Sequence, residues 1–286
     1  MTTSVLRGSF APMTLFVLLW GSAPVITRWG LDHASPLAFL VLRFALALLA
    51  LLAIGARYRR WLPPRGSRLR TTGTGLVLIG GYAVCYFRAL DSGITPGLLA
   101  TLLGIQPLLT LLLTERRFSL WRLAGLSLSL TGLALVVLES LLAARVSTIG
   151  MAFALGALTC MTLGAISQKR LQLPPREVLP LQYAVSLVLF LVLLPLEPMR
   201  LAWQPGLIVP VLWMALVVSV LAQLLLYRLI RDGNLVNVTS LFYLVPIVTA
   251  VLDYLILGNV LSPSALLGMA AILGGVAMVF GSHRRH

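Results

Sequence analysis

The sequence of 286 residues predicts an all-α integral membrane protein, with ten transmembrane helices built from two inverted five-helix repeats. Three observations predict it. The first is composition: 59% of residues belong to the AVILMFWYC set and only 10% are charged, whereas a soluble chain carries about 25% charged residues to keep its surface wet. Mean hydropathy is accordingly high, at +0.99. The second is length against the bilayer. A span takes about 20 apolar residues, and roughly 27 with its connection, so this chain holds about ten spans and leaves little for an extramembrane domain. The third is a duplication at half the chain length, developed below.

Apolar runs bounded by charge, Pro or Gly place the spans at 10–30, 36–56, 72–90, 95–114, 120–139, 148–168, 178–195, 206–228, 235–257 and 263–281. The first run follows Arg7 and has the look of a signal peptide. It is long, holds Pro24 and is followed at once by more spans, so it reads as a retained helix. Spans three and four are separated only by Asp91-Ser92-Gly93-Ile94-Thr95-Pro96-Gly97, which predicts a tight hairpin.

Charge orients the set. With the N-terminus inside, seventeen of the 22 basic residues fall in cytoplasmic segments, six of them between spans two and three (Arg57, Arg59, Arg60, Arg65, Arg68, Arg70). Only Arg28, Arg88, Arg145 and Arg200 fall outside, and Arg43 lies within span two. That asymmetry is what the positive-inside rule requires, and it predicts a multi-pass protein of the inner (cytoplasmic) membrane with both termini cytoplasmic. The net charge of +14 then needs no nucleic acid, because basic residues flanking spans sit against anionic lipid headgroups.

The duplication pairs Gly104-Ile105-Gln106-Pro107-Leu108-Leu109-Thr110 with Tyr243-Leu244-Val245-Pro246-Ile247-Val248-Thr249, the two prolines lying 139 residues apart. Further on, Gly125 and Gly132 match Gly268 and Gly275 at an offset of 143. Two units follow, 1–143 and 144–286, with five spans each. Five is odd, so the second unit enters the membrane from the opposite side. Inverted repeats are characteristic of alternating-access transporters, which bind substrate near the midplane between the halves. The bland reading is two ancestral bundles kept for packing.

The residues at this point resemble a known family. Trp20-Gly21-Ser22, Leu42-Arg43, Ala89-Leu90, Pro107 with Glu115, Tyr243-Leu244-Val245-Pro246 and the Gly268/Gly275 helix, in that order, are similar to the EamA-type branch of the drug/metabolite transporter superfamily. The resemblance covers about 10–281. It implies a ten-helix exporter of amino acids or related metabolites with a central cavity. One position departs: Asn259 stands where the second repeat of the family usually has glutamate, which puts a coupling role for that position in doubt.

The candidate site residues are those that break aliphatic spans. Trp20, Tyr82, Tyr86, Gln106, Gln223, Asn237 and Tyr243 are the expected substrate contacts, since flat aromatic faces and a few amides suit a small amphipathic solute. Tyr82 and Tyr86 share a helix face at i and i+4. Gln106 leads, because Pro107 removes a backbone donor beside it and opens the helix. Tyr183 and Tyr227 read better as interfacial belt residues, and Glu115, beside Arg116 and Arg117, as a solvated anchor. Asp253 is the carboxylate well inside a span, and Arg43 lies at a matching depth. The two are expected to pair or to face one outward cavity, as a structural or a functional couple. An aspartate held by arginine keeps its charge, so facilitated export with little proton coupling is expected. Pro24, Pro107 and Pro246 are mid-span and mark the expected flexing points. The small-residue stripes Ala152/Gly156/Cys160/Gly164 and Ala271/Gly275 allow close helix packing within the chain, so a monomer is expected.

Other chemistries find no support. The sequence holds no G-x-x-x-x-G-K-[ST], no acid pair at metal-binding spacing and no histidine within a span (His33, His283 and His286 lie outside), so no enzyme, cofactor, metal or nucleotide-driven pump is expected. Cys85 and Cys160 both fall in apolar runs and indicate neither a disulfide framework nor a zinc site. The expected partners are a small-molecule substrate and membrane lipid. An exporter of lipophilic cationic drugs is the alternative within transport, and a non-transporting membrane sensor or scaffold the alternative outside it.

Overall fold

The computed structural model describes residues 2–58, 61–116, 119–142, 147–257 and 261–282, apart from the side chains of 2–10, 58, 139–140, 253, 256–257 and 282. Its apolar helices are α1 (Ala11–Leu31), α2 (Pro36–Arg57), α3 (Arg65–Asp91), α4 (Pro96–Thr114), α5 (Leu120–Val136), α6 (Thr148–Leu171), α7 (Pro175–Leu196), α8 (Pro205–Asp232), α9 (Leu235–Leu252) and α10 (Pro263–Gly281). All but α5 have the length and apolarity to cross a bilayer. The 17 residues of α5 rise about 26 Å, at the lower limit of a hydrocarbon core. The protein is therefore an all-helical membrane protein of ten helices.

Helix starts follow local chemistry. Thr95, Ser119 and Asn234 cap α4, α5 and α9 by accepting from the backbone N–H of Leu98, Trp121 and Asn237, which satisfies amides that lack an intrahelical partner. The α3–α4 hairpin closes at Gly93, whose φ of +90° only glycine adopts freely. Beyond it the Ile94 N–H donates back to the Ala89 carbonyl at 3.1 Å, and both side chains are buried together, as a left-handed helix stop requires. Two helices outrun their apolar runs: α3 starts at Arg65 rather than 72, and α8 continues to Asp232 rather than 228. Hydropathy marks the hydrocarbon slab, whereas backbone hydrogen bonding continues for a turn or two into the headgroup layer.

The chain divides into two spatial units that cut across its sequence halves, Met1–Gly80 with Ser167–Asp232 and Gly81–Ile166 with Gly233–His286. In the first unit α2 lies along α7, the opening turns of α3 pack on α7, and α8 packs on α2. The contacts α3–α7 and α8–α2 are each other's counterparts under the repeat. Gly75 makes one of these approaches possible: a Cβ there would lie 2.7 Å from Gln182 Cα. The loops before α2 and α8 are tied by an antiparallel bridge between Ala34 and Leu201.

In the second unit α5 and α10 form the closest helix pair. A Cβ on Gly125 would meet the Gly275 carbonyl oxygen at 2.7 Å, and one on Gly132 would meet that of Gly268 at 2.6 Å. Gly125 matches Gly268 in the duplication and Gly132 matches Gly275. Residue i of one copy thus touches j of the other while j touches i, the self-complementary pattern of a two-fold contact. The pairing runs antiparallel, which is what an inverted repeat produces. Leu111, Leu126, Leu133, Val236, Tyr243 and Ile272 form the core around this pair.

Candidate substrate site at the helix breaks

Among the described residues three helices break just before a proline, which stands at the second residue after each break. In α1 the helix stops at Gly21 and restarts at Ala23, with Pro24 next. In α4 it stops at Leu103 and restarts at Gln106, with Pro107 next. In α9 a tight 3₁₀ stretch, Leu241–Leu244, precedes Val245 and Pro246. Proline's fixed φ suits a first helical turn, and its missing N–H costs nothing there. Each break nonetheless strands backbone carbonyls at membrane depth, and these need partners.

One such partner is present at the candidate site. The Tyr243 hydroxyl donates to the carbonyl oxygen of Gly104. Gly104 and Tyr243 are the residues that open the two matched segments, so the repeats meet at their own breaks. Tyr243 is 1% exposed. Gln106, two residues beyond Gly104, is also 1% exposed, yet its side-chain carbonyl oxygen has no hydrogen-bond partner among the described residues. A buried acceptor left unmade costs about 1–3 kcal/mol. It is the kind of group that a ligand donor would satisfy.

The same unit holds a second polar cluster where α4 ends and α5 and α9 begin. Arg122, 6% exposed, donates through Nη1 to both Glu115 carboxylate oxygens at 2.6 Å. Its Nη2 donates to the side-chain oxygens of Asn234 at 3.0 Å and Asn237 at 2.9 Å, and Asn234 Nδ2 donates to Glu115 at 3.1 Å. Glu115 is therefore no solvated anchor. It is one half of a buried ion pair, and the Asn237 oxygen is already engaged by the other half. Tyr82 and Tyr86 lie with ring centroids 5.7 Å apart, as their spacing on one face of α3 requires.

In the first unit Arg43 Nε donates to the Ser219 hydroxyl at 2.7 Å, and its guanidinium lies 5.7 Å from the centre of the Phe44 ring. Phe44 in turn stacks on Tyr183 at 4.8 Å. Deeper in the unit the Tyr227 hydroxyl donates to Gln182 Oε1 at 2.6 Å, and Gln182 Nε2 donates to Gln168 Oε1 at 2.9 Å. Tyr183 and Tyr227 are buried, which corrects their reading as belt residues. Depth along a helix does not reveal which face it turns to lipid, and here α7 and α8 turn both tyrosines inward. Gln223 is buried beside this network, and Trp20 packs on the cluster of Phe39, Met214 and Val218. The Asp253 side chain and Asn259 lie outside the described residues, and with them the expected Arg43–Asp253 couple. Pro24, Pro107 and Pro246 all fall at breaks.

Sequence reasoning missed Arg122, Gln168, Gln182 and Ser219. Arg122 was counted only as a cytoplasmic charge, and its amide partners lie more than a hundred residues away. Gln168 and Gln182 carried a signal that was not used: amides inside otherwise aliphatic helices.

Comparison with known proteins agrees with this architecture. A solved crystal structure superposes with a TM-score of 0.82 at 18% identity, covering 98% of each chain, which speaks to the fold alone. A probable amino-acid metabolite efflux pump of Salmonella typhimurium (strain LT2) is 26% identical, with 93% of each chain covered. The uncharacterized transporter YvbV of Bacillus subtilis (strain 168) is 23% identical over 93% of this chain and 90% of its own length. Residues 12–138 and 148–281 each match the EamA-like transporter family. With two EamA domains spanning nearly its whole length, the chain belongs to the EamA-like transporter family of the drug/metabolite transporter superfamily, and is a transporter rather than an enzyme.

Proposed function

We propose that this transporter exports small amphipathic metabolites, amino acids or related compounds foremost, across the cytoplasmic membrane by alternating access. In this reading both termini are cytoplasmic, 1–143 and 144–286 are the two inverted repeats, and the helix breaks at Pro24, Pro107 and Pro246 are where the chain flexes. The observation that carries the proposal is the Gln106 side-chain oxygen, buried without a partner among the described residues at the break of α4. A neutral amide acceptor there suits the N–H donors of an amino acid, and the aliphatic residues around it suit an apolar side chain. Two curated relatives, from Salmonella typhimurium and Escherichia coli (strain K12), carry the name probable amino-acid metabolite efflux pump, which favours the same class.

A lipophilic cation would call for an uncompensated buried carboxylate. Glu115, which reaches the interior, has both oxygens bound by Arg122, which weighs against that class. Uptake of labelled amino acids and of a cationic dye into inverted membrane vesicles separates the readings. Amino-acid uptake without dye uptake is expected. Dye uptake alone would replace the substrate class, and neither activity would favour a sensor.

A further inference from the structure

In the first unit the corner that starts α7 and the last turns of α8 border an open recess of about 400 Å³. Arg176, Arg228 and Arg231 form its rim, and Leu221, Leu224 and Leu225 its floor. The layering follows from helix geometry. Residues 221, 225 and 228 and residues 224, 228 and 231 recur at three- and four-residue spacing, so they share one face of α8. Seven residues separate Leu221 from Arg228, about 10 Å along the axis. Because α7 begins here and α8 ends here, the arginines stand at the membrane surface and the leucines inside the hydrocarbon.

The lining is basic, with three arginines and no carboxylate among its described residues. Asp232 faces the rim, bound to Arg231 at 2.6 and 3.2 Å and 3.8 Å from Arg228. Lys169 adds another positive charge close by, donating to the Arg231 backbone carbonyl at 2.7 Å. Arg228, Arg231 and Lys169 thus all act on the Asp232 carboxylate. Below the floor, Leu221, Leu216 and Leu212 continue down α8 with 45%, 42% and 44% of their surface exposed.

We propose that this recess is a binding site for an anionic phospholipid, the phosphodiester held by Arg176 and Arg228 and an acyl chain laid along Leu221, Leu216 and Leu212. Guanidinium forks suit phosphate oxygens, and basic pockets between helices at the cytoplasmic face are where such headgroups settle. A soluble anion would use the rim and leave the leucine floor unfilled, whereas a diacyl lipid uses both. The site is separate from the substrate reading and does not depend on it.

The test is thermal melting of the purified full-length protein titrated with phosphatidylglycerol, phosphatidylcholine or inorganic phosphate in the same detergent. A saturable rise in Tm is expected with phosphatidylglycerol only. R176Q/R228Q should lose about tenfold or more of the apparent affinity for it, while R57Q/R65Q, which removes two arginines from the same membrane face outside the recess, should keep it. Should the double variant not fold, R228Q alone carries the comparison, since that side chain is 69% exposed. Equal loss in R57Q/R65Q would reduce the effect to general headgroup attraction and overturn the site. So would full affinity in R176Q/R228Q, an equal response to phosphatidylcholine, or a rise in Tm with phosphate alone.

Discussion

Gln106 and Arg122 are both buried and polar in the same unit, yet their hydrogen bonding assigns them different work. The guanidinium of Arg122 is committed to Glu115, Asn234 and Asn237, so its task is to fasten three helix ends. Removing one side of such a buried pair leaves an uncompensated charge and costs about 3–5 kcal/mol, while replacing both sides with apolar groups can be close to neutral. Arg122→Met should therefore lower Tm markedly, and Arg122→Met with Glu115→Leu should recover much of the loss. A double variant no more stable than the single one, in detergent melting curves, would contradict the assignment. Gln106 has its side-chain oxygen without a partner among the described residues, as Arg122 has its Nε, but replacing Gln106 strands no charge, so Gln106→Leu should leave Tm unchanged or slightly raised and cut amino-acid flux in proteoliposomes about tenfold or more. Unaltered flux would remove Gln106 from the site. Gln106 was legible in the sequence because an amide beside a proline in an aliphatic run has few structural uses. The Arg122 cluster was not, because Glu115 and Arg122 sit on opposite sides of a loop and both asparagines come from the far half of the chain.

Broken and close-packed helices differ in how much of them a sequence declares. The prolines announced all three breaks, whereas the matched glycines of α5 and α10 announced the duplication and left their close approach to each other for the structure to show. What the sequence could not declare was the partner at each glycine, because that depends on how the two copies fold back on each other. The two-fold pattern makes a strict prediction here. Gly125→Val and Gly268→Val, at matched positions of the two copies, each push side-chain atoms into the other helix's backbone carbonyl, 2.7 and 2.5 Å from where a Cβ would lie. Backbone yields less readily than side chains, so both should exceed the usual 1–3 kcal/mol of overpacking and should do so by similar amounts. Gly274→Ala is the control: its nearest neighbour is 3.9 Å away, and helix propensity favours alanine over glycine by about 1 kcal/mol. Yields of monodisperse protein and melting temperatures for the three variants decide the matter, and a large gap between Gly125→Val and Gly268→Val would break the symmetry argument.

At the scale of the whole molecule, the remaining prediction concerns what drives transport. A transporter that exchanges protons for substrate needs a group that changes protonation as it cycles. Inside the membrane this chain offers few. His33, His283 and His286 all lie outside the apolar runs, and His33 shares a 2.7 Å hydrogen bond with Gln204 in the loop region. The Glu115 oxygens are held by Arg122 and Asn234. Where family members usually carry a second-repeat glutamate this sequence has Asn259, which cannot titrate. That leaves Asp253, the carboxylate that the sequence reading sets well inside a span and at a depth like that of Arg43, a residue already hydrogen-bonded to Ser219. A transporter so equipped should run down its substrate gradient with little help from protons. In proteoliposomes an imposed pH gradient should change amino-acid flux by less than about twofold, and Asp253→Asn should lower the rate or the yield of folded protein without altering how flux depends on pH. Uphill flux driven by the gradient in the wild type, lost in Asp253→Asn while downhill exchange persists, would make Asp253 the proton carrier and reverse the conclusion.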